Sequence, residues 1–170
     1  MFFQDEATFG RINKLVKCWA PKKVRPHIAQ QKVRQYLYAY SVTSPHDGSN
    51  FSLILPDTNS KMMSLFLEYV SEYYAQYRCI IIMDNAPWHS KKLLTKHTNL
   101  RFVELPPYSP ELNGTEHLWD HIREKYFHNR HFESLEAVEN TLIEALEAAR
   151  ADQKTIQSLV GFDWMQFNLC

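Results

Sequence analysis

The chain has 170 residues, 45% of them apolar and 14% aromatic, which suits one packed domain and excludes a disordered chain. Nineteen Lys and Arg balance nineteen Asp and Glu, so the total charge argues neither for nor against a nucleic-acid partner. Cys18, Cys79 and Cys170 are odd in number and far apart, which excludes a disulfide framework and a CxxC metal site. The longest apolar run, "CIIIM", is too short to cross a bilayer, and no signal peptide is evident, so a cytoplasmic protein is expected.

In chain order, "MFFQDEATF" reads as a strand with apolar residues and Thr flanking a carboxylate pair. "VRQYLYAYSVT" (33–43) alternates aromatic and small residues as a second strand, "SPHDGSN" is a turn, and "FSLILP" (51–56) is a third strand. This is an antiparallel start. Apolar residues then recur at helical spacing from Met62 to Tyr77, after the capping candidates Asp57, Asn59 and Ser60. "RCIIIMDN" is a continuous apolar strand, the pattern of one covered on both faces. A helix is expected from about Ser90 to His97, then a short strand "RFVEL". The stretch "LPPYSPELNGTEHLW" (105–119) cannot be helix or interior strand at its start, because each proline ring fixes φ and removes a donor. Helices follow near 114–127, 134–150 and 152–160, the second with a Leu135/Val138/Leu142/Ala145/Leu146 stripe. Antiparallel strands first, then alternating strand and helix, predict an α/β domain with a mixed sheet and helices on its faces.

Charge is unevenly spread. From Ala7 to His46 lie Arg11, Lys14, Lys17, Lys22, Lys23, Arg25, Lys32 and Arg34 and no acid, whereas Glu133 to Glu147 holds five glutamates and no Lys or Arg. The molecule should have a basic and an acidic side.

Three acids fall on or beside regular elements. Asp5 is on the first strand, Asp84 ends the apolar strand, where ligand sites gather in open α/β sheets, and Glu116 opens a helix after the proline loop. Oxygen-only ligands select hard cations such as Mg²⁺ or Mn²⁺. Taken singly, each acid reads equally as a helix cap or a surface carboxylate. Glu6 should point to the opposite sheet face from Asp5 by strand alternation. His89 lies near the site and reads either as a phosphate contact or as a plain capping residue, and Asn85 reads as shaping the site. Leu118 and Trp119 read as core. His117 and His121 are spaced i, i+4, but "EHLWDH" is not HExxH, so they read as solvent-facing or stacking rather than zinc ligands.

"FQDEATFG", "IIIMDNAPWHS" and "LPPYSPELNGTEHLW", in that order, resemble the three catalytic blocks of mariner-type DDE transposases, most closely the bacterial insertion-sequence branch. "CWAPKKVRP" resembles the Trp-containing segment that follows the first block there. The resemblance covers nearly the whole chain. It implies a ribonuclease H-like fold with a five-stranded mixed sheet flanked by helices. It also implies a catalytic, metal-binding triad of Asp5, Asp84 and Glu116, with two Mg²⁺ or Mn²⁺ ions and Asp5 bridging them. The implied reaction is cleavage of DNA at transposon ends followed by strand transfer to target DNA. The alternatives are another ribonuclease H-like nuclease, such as a junction resolvase, or a decayed element that only binds DNA or dimerises.

The family commonly has Asn-Pro before the Glu; here Asn113 is followed by Gly114, which admits φ > 0. The interval from Asp84 to Glu116 is slightly shorter than usual there. Such transposases normally carry helix-turn-helix units before the first Asp, so that module is expected to be separately encoded or removed. Lys22, Lys23 and Arg25 are the expected DNA contacts. The apolar tail with Phe162, Trp164, Met165 and Phe167 leaves two readings open, packing back on its own domain or forming a dimer.

Overall fold

A computed structural model describes residues 1–89, 96–107 and 109–162 of the chain. Its sheet has five strands: β1 (Phe2–Ile12), β2 (Lys32–Thr43), β3 (Asn50–Leu55), β4 (Cys79–Met83) and β5 (Leu100–Glu104). Their spatial order is β3-β2-β1-β4-β5. β1 runs antiparallel to β2 and parallel to β4, β2 is antiparallel to β3, and β4 is parallel to β5. The expected mixed sheet is therefore present, with β1 in its centre. Most of the helix expected over 90–97 falls outside the described residues, as do Trp164, Met165 and Phe167 of the tail.

Four helices flank the sheet among the described residues: α1 (Ser60–Tyr73), α2 (Gly114–Ile122), α3 (Leu135–Ala151) and α4 (Gln153–Val160). Helix α1 starts where the Asn59 side chain accepts from the amides of Lys61 and Met62, both at 3.0 Å. Ser134 caps α3 in the same way through Ala137. Helix α2 passes into a π turn, Arg123–Phe127, which seats Phe127 4.8 Å from Phe9 on β1.

Strand alternation sorts the core into two layers. Ala7, Phe9 and Ala39 pack against α2, α3 and α4 through Leu118, Trp119, Ile122, Val138, Leu142 and Ile156. Phe2, Tyr40 and Val42 face the other way, onto Met63, Phe66, Leu67 and Val70 of α1. Burying such side chains contributes about 1.5–3 kcal/mol each. This alternation gives the acidic pair of β1 its geometry: Asp5 faces α2, and Glu6 faces the α1 side.

Gly114 corrects one expectation. Its φ is not positive; positive φ occurs at Gly48, Lys23 and Asn129. A Cβ at Gly114 would stand 2.9 Å from the Val160 carbonyl oxygen and 3.4 Å from the Phe3 ring. Glycine is needed there because the Val160 backbone at the end of α4 closes on the start of α2.

Candidate active site

Phe2 pairs with Ile81 and Phe3 with Ile82 across the parallel β1–β4 junction. Continuing that register sets Asp5 beside Asp84 on neighbouring strands, whose spacing is about 4.8 Å. Glu116 comes from another element. Leaving β5, the chain is tied to the end of β4 by the Leu105 amide, which donates to the Met83 carbonyl at 2.8 Å. Pro106, Pro107 and Pro110 then carry it round to a short 3-10 turn, Pro110–Leu112, and Asn113 caps α2. Asp5, Asp84 and Glu116 meet in one open cleft of about 390 Å³, whose wall includes Asn85 and those three prolines. The proline-stiffened loop is one side of the cleft.

Two contacts bolt the start of α2 to β1. The Asn113 side-chain amide donates to the Gln4 carbonyl at 3.0 Å, and the Thr115 hydroxyl donates to the Phe3 carbonyl at 2.9 Å. All four residues are buried. Glu116, one position on, is thereby referenced to the strand that carries Asp5.

The electrostatics of the three acids differ. Burial, then the charges of Glu116 and Glu6, hold the Asp5 carboxyl well above the usual carboxylate range, against the opposing pull of the Glu6 amide and the Trp119 indole. Burial raises Glu116 too, with Asp120 and Asp84 adding to the effect and Arg123 and His117 opposing it. Asp84 goes the other way: the hydrogen bond from His89 lowers it, although burial resists.

Sequence reasoning missed two neighbours. Trp119 is fully buried, as expected for core, but its indole N–H also donates to Asp5 Oδ2 at 3.0 Å. Periodicity predicts that such a ring is inside, not where its one polar atom points. His89, expected at a phosphate, is buried instead, with both ring nitrogens against acceptors: Nδ1 is 3.1 Å from Asp84 Oδ1 and Nε2 is 3.1 Å from Glu6 Oε1. Neither nitrogen is left for a ligand. Glu6 lies on the face away from Asp5, as strand alternation predicts, and takes further hydrogen bonds from Gln4 and Trp88.

The other expected residues lie apart. Lys22, Lys23 and Arg25 are exposed on the segment linking β1 to β2 and do not line the carboxylate cleft. That segment leaves the carboxyl end of β1, the same end of the sheet as Asp84. Asn13 clasps its base, donating to the Ala29 carbonyl and accepting from the Gln31 amide. His117 is exposed and meets the Phe162 ring edge-on at 5.2 Å.

The donor set suits a hard divalent cation: three carboxylates on one cleft, two of them raised by burial and mutual repulsion. Among the described residues, however, no group of three His, Cys, Asp or Glu side chains is already placed to hold an ion. Closing on one requires side-chain movement. No helix among the described residues is long and apolar enough to cross a membrane.

The chain is similar to several known proteins. The Sinorhizobium fredii (strain NBRC 101917 / NGR234) uncharacterized protein y4pE/y4sA is 28% identical over 104 residues, 61% of this chain and 77% of that protein. The fold is similar to that of the Mos1 mariner transposase. It matches the Mos1 paired-end complex with Mn at a TM-score of 0.66 and 17% identity, covering 92% of this chain and 52% of that one. The Mos1 strand transfer complex gives 0.65 and 16%, covering 92% and 51%. The Mos1 catalytic domain alone gives 0.59 and 18%, covering 93% and 76%. The chain thus spans about half the length of the Mos1 chains in those complexes, and the shared architecture is the ribonuclease H-like one. A family match to DDE superfamily endonuclease runs over residues 1–139, through all three acids, and on that match the chain belongs to the DDE superfamily endonuclease family.

Proposed function

We propose that this chain is the catalytic domain of a transposase, cutting DNA phosphodiester bonds at the ends of a mobile element and joining them to target DNA. One observation carries the reading: Asp5, Asp84 and Glu116, from three separate elements, open on one cleft. The Mos1 strand transfer and paired-end complexes, which share the fold, support DNA as the substrate, and those with Mn and Mg support a divalent metal. Asp5, Asp84 and Glu116 would hold two Mg²⁺ or Mn²⁺ ions. When bound, such ions stabilise the attacking and leaving oxygens of a phosphoryl displacement.

The chain's own residues do the rest. Trp119 orients Asp5 from the helical side, through a ring that cannot move without opening the core. Asn113 and Thr115 hold Glu116's helix against β1. The cleft is open, as a site for a duplex end must be, and the proline loop forms a rigid edge for it. Lys22, Lys23 and Arg25, exposed at the same end of the sheet, meet phosphates without reading bases. A helix-turn-helix module, separately encoded or joined to this chain, would supply sequence recognition, and a second copy of the chain is the expected partner for pairing two ends.

The test is nicking of a supercoiled plasmid with Mg²⁺ or Mn²⁺ by the parent, Asp5→Asn, Asp84→Asn and Glu116→Gln. Metal-dependent nicking by the parent alone supports the proposal. Undiminished nicking by the three folded variants places the chemistry elsewhere and refutes it.

A further inference from the structure

The His89 ring sits where nothing in the cleft can touch it. Its side chain is 2% exposed, whereas that of Asp84 is 57% exposed. Nδ1 stands 2.9 Å from the Asp84 carbonyl oxygen and 3.1 Å from Asp84 Oδ1, and Nε2 stands 3.1 Å from Glu6 Oε1. Every one of these neighbours is an acceptor, so both ring nitrogens must carry hydrogen and donate. The same Glu6 oxygen is held by Gln4 Nε2 at 3.1 Å and Trp88 Nε1 at 3.4 Å. A buried ring gripped at both ends has one orientation, because turning it would strand its two donors.

The contacts on Asp84 are one-sided. The Ala86 amide donates to Oδ1 at 3.2 Å, and His89 Nδ1, hydrogen-bonded to the Asp84 carbonyl, stands 3.1 Å from the same Oδ1 as its ion-pair partner. Oδ2 has no hydrogen-bond partner among the described residues. We propose that Glu6 and His89 together are positioning residues for Asp84: they hold Oδ1 so that Oδ2 is the oxygen offered to a divalent cation. Carboxylates and carbonyls behind a ligand's own hydrogen-bond partner commonly set its orientation, and loss of such a partner costs about 10- to 100-fold in metal affinity. Glu6 thus serves the cleft from the opposite face of the sheet. The acidic pair on β1 divides the work, Asp5 on the cleft side and Glu6 beneath it. The inference rests on the reading of the cleft as a metal site.

The test is a Mn²⁺ titration of the chain without DNA, following free Mn²⁺ by electron paramagnetic resonance, with urea unfolding in EDTA to confirm that each variant is folded. His89→Ala should weaken Mn²⁺ by about 10- to 100-fold. His89→Asn, whose amide occupies the place of Nδ1, should recover most of that loss. Glu6→Ala should weaken Mn²⁺ although its side chain never faces the cleft, and Glu6→Gln, which keeps the acceptor, should stay near the parent. If His89→Ala does not fold, the two Glu6 variants carry the comparison. Affinity within about twofold of the parent in folded His89→Ala or Glu6→Ala overturns the proposal and leaves the pair as a structural tie. A parent that binds no better than Asp84→Asn overturns the metal reading itself, and the proposal with it.

Discussion

Asn113 and Gln4 are joined by a 3.0 Å hydrogen bond from side-chain amide to backbone carbonyl, linking the residue that begins α2 to the residue that precedes Asp5. The same Asn113 side chain accepts from the Thr115 amide at 3.1 Å. One amide therefore caps a helix with its oxygen and anchors that helix to the central strand with its nitrogen.

Asn113→Ala removes both bonds and leaves the buried Gln4 carbonyl without this donor, at a cost of about 1–3 kcal/mol. Asn113→Asp keeps the cap but loses the donor, so it should also fall below the parent. Urea unfolding measures both. A parent-like midpoint in the alanine variant would show that the bond contributes nothing.

The pH dependence of the metal-free chain should carry a His89 signature. Burial pushes the ring's pKa down, but the hydrogen bonds to Asp84 and Glu6 outweigh it and bring the group to about 10. An unfolded histidine titrates near ~6.5. The protonated ring thus contributes stability that is full below about 6.5 and is lost as pH rises through about 10. Asp84, lowered by His89, contributes stability above the ordinary carboxylate range that is lost as pH falls through its folded value. The difference in unfolding free energy between the parent and His89→Asn should shrink steadily from pH 6.5 toward about 10. Parallel curves would mean that the ring gains no proton on folding.

Asp5 should behave in the opposite sense. Burial and neighbouring acids raise it, so its ionised form opposes folding at neutral pH unless a cation compensates. Asp5→Asn should therefore unfold at higher urea than the parent in EDTA, while gaining nothing from Mn²⁺. The parent should gain roughly 5–10 °C in melting temperature at a hundredfold excess of Mn²⁺ over its Kd. An Asn variant less stable in EDTA would show that the Asp5 charge is already compensated within the fold.

DNA binding by this chain should be weak, insensitive to sequence and strongly dependent on salt. If roughly four to six basic residues between Arg11 and Arg34 meet phosphates, log K against log salt should have a slope of about −4 to −5 on duplex. Replacing Lys22, Lys23 and Arg25 by alanine should flatten that slope by about 2 to 3 and weaken all sequences alike. A salt titration on two unrelated duplexes measures this. Tight, salt-insensitive binding to one of them would place sequence recognition within this domain.

The parts legible in the sequence were those governed by local rules. Alternation predicted that Asp5 and Glu6 face apart, and Asn59 was among the expected caps. The run "CIIIM" is a strand as expected, but not one covered on both faces: Cys79, Ile81 and Met83 are buried against α1, whereas Ile80 is exposed and Ile82 only partly buried. β1 runs on to Ile12 rather than ending near Phe9, because its pairing with β2 continues past Gly10, through a register shift, to Lys32. The illegible parts were contacts between residues distant in the chain. Nothing near His89 in sequence signals that Glu6 will be its second partner, and nothing near Trp119 signals Asp5. A histidine beside a candidate site reads equally as a ligand contact or a brace until both its nitrogens are accounted for. Gly114 was read as conformational freedom, and its reason proved to be the close approach of Val160.

The central place of β1 also bears on when the site comes into being. Asp5 is made before Asp84 and Glu116, and its cleft needs β4 alongside and α2 bolted across β1 through Asn113 and Thr115. Trp119, which grips Asp5, packs against α3 residues such as Leu142 within one core. A growing polypeptide therefore holds scattered acids and no pocket until α2 and α3 dock.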